Sequence, residues 1–195
     1  MARRDGRPVG REFDPVSDER DPASDPRAAY DYTAGSVARE APAAQLRERI
    51  DGEVRFDDLS RQLYATDASA YEVTPVGVVF PASTADVAAV VEYCSTHGIA
   101  VLPRGGGTSL AGQTVNEAVV LDFTRHMDGV VAVDPGSRTA RAQPGVTLGE
   151  LNAALAPEGL KFAPDPAWGD KSALGGDAPK QLAASTYGVC EYIDR

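Results

Sequence analysis

Between Val76 and Leu102 the hydrophobic pattern changes period twice. Val76 to Phe80 is a continuous apolar, largely β-branched run, the pattern of a short strand buried on both faces. Val87, Val90, Val91 and Cys94 then follow the i, i+3, i+4, i+7 spacing of one helical face. Ser83 and Asp86 precede them in the Ser-x-x-Asp form of a capping box, and Gly98 supplies a stop. Ile99 to Leu102 is a second apolar run, so the unit is β-α-β with parallel strands.

Ala118 to Thr124 reads as a third strand, and Val130–Val133 with Thr139–Gln143 as a hairpin around "DPGSR". Thr147 and Glu150 form a second capping box, opening a helix with Leu148, Leu151 and Leu155 on one face and Gly159 at its end. Upstream, Leu46 begins the patterned chain, with Ile50, Val54, Phe56, Leu59 and Leu63 expected in the core. Residues 1–44 contain no Leu or Ile, five prolines and many Asp and Arg, the composition of a flexible acidic tail. No internal repeat is visible. The expected class is α+β, a small βαβ unit with added antiparallel strands.

Composition narrows the setting. At 195 residues, 43% hydrophobic and 25% charged, the chain can bury one core. No apolar run approaches the ~20 residues of a membrane span. The opening "MARRDGRPVG" has arginines with no apolar stretch behind them, so a cytoplasmic location is expected. A net charge of −10 argues against nucleic acid, which is held by clustered cations. Sixteen of the nineteen basic residues are Arg and three are Lys, a balance that suits high ionic strength. Cys94 and Cys190 lack metal-ligand spacing, and two histidines are too few for a metal cluster, so no metal is expected. His97 falls at a helix C-terminus, where a cation complements the dipole.

The candidate chemistry lies in "PRGGGTSLAGQT", Pro103 to Thr114. Three consecutive glycines make a poor strand and a poor helix. They make a good concave loop, whose backbone N–H groups can converge on an anion. Placed at the carboxyl end of a parallel strand, the loop sits where α/β sheets bind ligands. The dinucleotide fingerprint G-x-G-x-x-G fails, because position 110 is Leu and a strand follows. The P-loop pattern fits from Gly107 to Thr114 except that Gln113 replaces the phosphate-binding Lys.

Three stretches, "VVFPASTADVAAVVEYCSTHGIAVLPRGGGTSLAGQ", "VVLDFTRHMDGVVAVDPGSRTARAQPGVTLGELNAAL" and "FAPDPAWGDKSALGG", resemble in order and spacing one known domain. It is the FAD-binding domain of the FAD-linked oxidases, the vanillyl-alcohol oxidase and p-cresol methylhydroxylase type. The nearest branch is that of the glycolate oxidase and D-lactate dehydrogenase flavoproteins. The likeness covers Tyr64 to Gly176. It implies that Arg104, Gly105, Gly106, Gly107, Thr108 and Ser109 hold the FAD diphosphate, the two hydroxyls adding donors. It also implies that Pro164 and Asp165 form a turn near the flavin and that Ala173, Leu174, Gly175 and Gly176 approach FAD. Pro144 and Gly145 match a turn between strand and helix. The loop holds neither His nor Cys, so non-covalent FAD is expected, and His126 is read as structural or solvent-facing.

The resemblance implies oxidation of a 2-hydroxy acid such as lactate or glycolate, by hydride transfer to flavin. It identifies no base and no carboxylate clamp in this chain, so no catalytic residue is assigned. After Gly176 the family pattern gives way to "DAPKQLAASTYGVCEYIDR". Residues 45–176 are therefore expected to be a partial FAD-binding domain and 177–195 a divergent segment, as in a truncated reading of a longer gene. The alternatives are a non-catalytic remnant, or an FAD-binding subunit needing a partner. A nucleoside triphosphatase ranks third, disfavoured by Gln113. Trp168 stands where the family usually carries a small polar residue.

Overall fold

Strands β1 (Glu53–Arg55), β2 (Gly77–Phe80), β3 (Val101–Arg104) and β4 (Val119–Asp122) form one sheet in the order β1-β2-β4-β3. The computed structural model describes residues 36–164, 168–175, 188–190 and 193–194. Helix α3 (Thr84–Thr96) connects β2 to β3, and the two strands are parallel as expected, with β4 inserted between them. Gly77 and Val101 both pair with Val119, and Arg104 pairs with Asp122. Every residue of β2 and β4 is buried, which accounts for their unbroken apolar runs. β3 closes one end of the sheet. The carbonyls of Ala100, just before it, and of Arg104 accept from the N–H groups of Val119 and Phe123 along β4, which turns position 103 to the open edge. Pro103, lacking an N–H, blocks further pairing there.

One sheet face packs Val79, Val119 and Leu121 against α3 and against α1 (Ser36–Arg47), whose Ala43 and Leu46 are buried. Helix α1 thus lies mostly inside the segment 1–44 that composition reads as a tail; residues 1–35 lie outside the described residues. The opposite face packs Val78, Phe80 and Val120 with Tyr64 and Leu102.

Two core expectations are corrected. Leu59 and Leu63 are 72% and 67% exposed. They lie on α2 (Asp58–Leu63), a six-residue helix held by its Asp57 cap and by Arg61 donating to the Pro75 carbonyl. Only its flanks, Phe56 and Tyr64, reach the sheet clusters. On α3 the buried face is Asp86, Val90, Tyr93 and Cys94, and Val91 is exposed. Tyr93 takes the core position because its ring also stacks on His97, whose Nδ1 lies 2.8 Å from the Tyr93 carbonyl. Burial pushes the Cys94 thiol up to about 11, leaving a non-reactive packing residue.

The Ser83 cap forms, accepting from the Asp86 N–H at 3.2 Å, but Asp86 answers to the Ser83 hydroxyl, which donates to its Oδ1 at 3.1 Å, and not to the Ser83 N–H. The Asp86 carboxylate also accepts from the N–H groups of Asp51, Gly52 and Ala82, pinning the start of β1 to the start of α3. At Thr147 the capping box is complete and opens α4 (Leu148–Leu155), with Leu148, Leu151 and Leu155 buried. A 3-10 turn, Ala156–Glu158, intervenes before Gly159 ends the helix at φ 68°. Strands β5 (Val130–Asp134) and β6 (Thr139–Ala142) form the expected hairpin. β7 (Lys161–Phe162), β8 (Gly188–Cys190) and β9 (Ile193–Asp194) complete the elements, β8 pairing with β6 and β9 with β7. Both last strands fall within 177–195. No helix among the described residues is long and apolar enough to cross a membrane.

Candidate cofactor site

The glycine loop leaves β3 at Arg104 and re-enters the sheet at β4, its immediate parallel neighbour. A strand follows the loop, which removes the helix that a P-loop requires. Gly107 and Gly112 sit at φ 67° and 71°, a region that favours glycine. Gly106 is required for a different reason. A Cβ there would lie 2.1 Å from the carbonyl oxygen of Lys171. Among the described residues, no acceptor meets the backbone N–H groups of Gly105, Gly106 and Gly107, although Gly105 and Gly107 are buried. A buried donor left unpaired costs about 1–3 kcal/mol. Successive free N–H groups at a turn suit an anion.

The side chains around the loop are differently employed. Arg104 is 8% exposed and its guanidinium is turned to protein carbonyls. Nη1 donates to the carbonyls of Thr114 at 2.9 Å and Tyr64 at 3.3 Å, and Nη2 donates to Thr66 at 2.8 Å. Its charge also lies 5.0 Å from the Tyr64 ring centroid. The Ser109 hydroxyl donates to Gln113 Oε1 at 2.6 Å and accepts from the N–H groups of Ala111 and Gln113, so it closes its own turn. Thr108 Oγ1 lies 3.4 Å from Ser172 Oγ.

Ser172 belongs to the second glycine segment, and here the structure unites what the sequence separates. Ala173 is buried in a bridge with Thr147, the Leu174 N–H donates to Val146, and the Gly175 N–H donates to Pro144 at 2.7 Å. A Cβ on Gly175 would lie 2.2 Å from the Pro144 side chain, so close packing alone demands glycine there. Pro144 and Gly145 make the turn into α4, where the Gly145 N–H donates to Met127. Pro164 is half-buried, while Asp165 and Gly176 lie outside the described residues. Trp168 is 60% exposed, with the Lys171 ammonium 5.9 Å from its ring centroid. His126 sits apart on the surface, Nε2 3.3 Å from Glu53, a carboxylate already bonded by Arg55 and Arg125.

Sequence reasoning missed the segment from Tyr64 to Tyr71, which packs along the loop. Ala68 N–H donates to the Gly107 carbonyl at 3.0 Å, and the Tyr71 ring lies against Gly112. Asp67 Oδ2 accepts from the Thr114 hydroxyl at 2.9 Å, and its Oδ1 from the Ser69 N–H at 2.8 Å. Burial raises the Asp67 pKa, but the hydrogen bonds from Ser69 and Thr114 outweigh it and hold the carboxyl below its ordinary range. Beneath them Tyr64 donates to Asp122 at 2.5 Å, and burial together with that carboxylate pushes the phenol up. The available signal was "TDAS", Thr66 to Ser69, in which Asp followed two residues later by Ser has the form of an Asx turn.

Residues 75–191 match the FAD binding domain family, a stretch that runs past Gly176. The chain is 35% identical over 163 residues to D-2-hydroxyglutarate dehydrogenase of Pseudomonas putida, covering 78% of this chain and 16% of that protein. It is 32% identical over 148 residues to glycolate oxidase subunit GlcD of Bacillus subtilis, covering 72% and 32% respectively. The chain thus spans a third or less of these relatives. Among solved structures, 4-ethylphenol oxidase from Gulosibacter chungangensis superposes with a TM-score of 0.60 at 26% identity, covering 74% of this chain and 29% of that one. The fold is that of the p-cresol methylhydroxylase-type flavoproteins, as the motifs implied.

Proposed function

The chain belongs to the FAD binding domain family, and on that premise we propose that it is the cofactor-binding part of an FAD-dependent oxidoreductase of 2-hydroxy acids. The carrying observation is that, among the described residues, no acceptor meets the N–H groups of Gly105, Gly106 and Gly107, although Gly105 and Gly107 are buried residues. These N–H groups donate to the FAD diphosphate, and Gly106 keeps the second glycine segment close alongside. Bound FAD supplies a two-electron acceptor for conversion of an alcohol to a carbonyl. The chain's own part is to hold and orient that cofactor; the substrate's base and carboxylate clamp come from elsewhere in a complete enzyme. The names of the two relatives, which act on D-2-hydroxyglutarate and glycolate, support a 2-hydroxy acid as the substrate class. Binding is non-covalent and the setting cytoplasmic in this reading.

The test is the visible spectrum of the purified chain after FAD is added and excess removed by gel filtration at high salt. A retained flavin band, released on denaturation, is the expected result. A colourless protein would overturn the proposal.

A further inference from the structure

Resting on that reading, we infer that Arg104, Asp67 and Thr114 are positioning residues that set the shape of the FAD loop from beneath, and that Arg104 does not lend its charge to the diphosphate. The loop begins at Arg104 and ends at Thr114, and these two residues are tied directly, Nη1 to the Thr114 carbonyl at 2.9 Å. The same guanidinium reaches the carbonyls of Tyr64 and Thr66, so one side chain joins both ends of the loop to the segment beside it. Asp67, next along that segment, closes the ring from the other side by accepting from the Thr114 hydroxyl at 2.9 Å and its N–H at 3.4 Å. Thr114, 1% exposed, is thus held by carbonyl, hydroxyl and N–H at once.

The physical consequence is preorganisation. The nine-residue excursion 105–113, rich in glycine, loses much backbone freedom when it cradles a ligand. Ties made before binding remove that loss from the binding step. Arg is suited to the task because its planar fork serves several carbonyls at fixed angles, which a lysine ammonium does not. Turned to three carbonyls and nearly buried, the same fork is directed into the protein.

The test compares wild type with Arg104→Lys, Arg104→Met, Thr114→Val, Thr114→Ser and Asp67→Asn, in the full chain. Two quantities are read: the FAD dissociation constant by flavin fluorescence, and amide hydrogen exchange over residues 105–113 without FAD. Thr114→Val and Asp67→Asn are expected to weaken FAD about tenfold and to speed loop exchange, and Thr114→Ser to restore both. Arg104→Lys, which keeps the charge, is expected to fail as fully as Arg104→Met. Lysine rescue of affinity would overturn the inference by showing that charge matters. Weaker FAD binding with unchanged loop exchange in Thr114→Val would overturn it as well, and that variant is close to isosteric and spares the guanidinium should Arg104 variants fail to fold. If wild type binds no FAD the functional reading fails, while the exchange comparison still decides whether these three residues hold the loop.

Discussion

Gly106 and Gly107 are neighbours, yet they must be glycine on different grounds. At Gly107 the constraint is first conformational, φ 67°, and an added Cβ would also lie 2.6 Å from Nη2 of the anchored Arg104 side chain. At Gly106 it is spatial, because an added Cβ would meet the Lys171 carbonyl oxygen, a backbone atom that cannot swing away. Gly106→Ala should therefore separate the two glycine segments and weaken FAD by more than tenfold, read as a dissociation constant. Gly159→Ala is the control. Its φ of 68° carries a strain of about 1–2 kcal/mol, nothing lies within 4 Å, and FAD affinity should not change. At this scale the sequence displays glycine without its reason. It also conceals Asp67 and Thr114, whose roles depend on a contact across forty-seven positions of chain.

Elements are more legible than residues because capping and periodicity are local. The Thr147 box and the leucine face of α4 stand where pattern places them. α3 departs by one step around its axis, since Tyr93 rather than Val91 completes the buried face. Leu59 and Leu63 mislead for another reason: a short helix anchored by its ends need not bury its own side chains. The tie between α3 and β1 yields a pH prediction. Burial raises the Asp86 pKa, but hydrogen bonds from Ala82, Asp51, Ser83 and Gly52 prevail and hold it below 3.8. A depressed carboxyl stabilises the fold fully above its unfolded value and loses that contribution as pH falls through the folded one. Asp86→Asn should cost about 1–3 kcal/mol near neutrality. The gap from wild type should narrow in acid denaturation below pH 3.8, measured by thermal melts across that range.

For the whole molecule, charge and ligand give separate handles on stability. With a net charge of −10, raising salt from roughly 0.1 M to 1 M, which shortens the Debye length from ~10 Å to ~3 Å, should raise the melting temperature. FAD at about 100 times its Kd should add about 2.7 kcal/mol, a further shift of several degrees in the same calorimetric scan. The fold class was readable because β-α-β units and hairpins announce themselves in order, but the sheet order was not. Nothing in the pattern places β4 between β2 and β3. That insertion governs how the chain assembles. β2 and β3 share no hydrogen bonds with each other and join one sheet only through β4, which reaches its place when the glycine loop has folded back on itself. Closure of that loop is thereby a step in completing the sheet, its entropic cost set against the β3–β4 pairing that it permits. Substitutions that loosen the loop should therefore be felt in the stability of the sheet as well as in cofactor affinity.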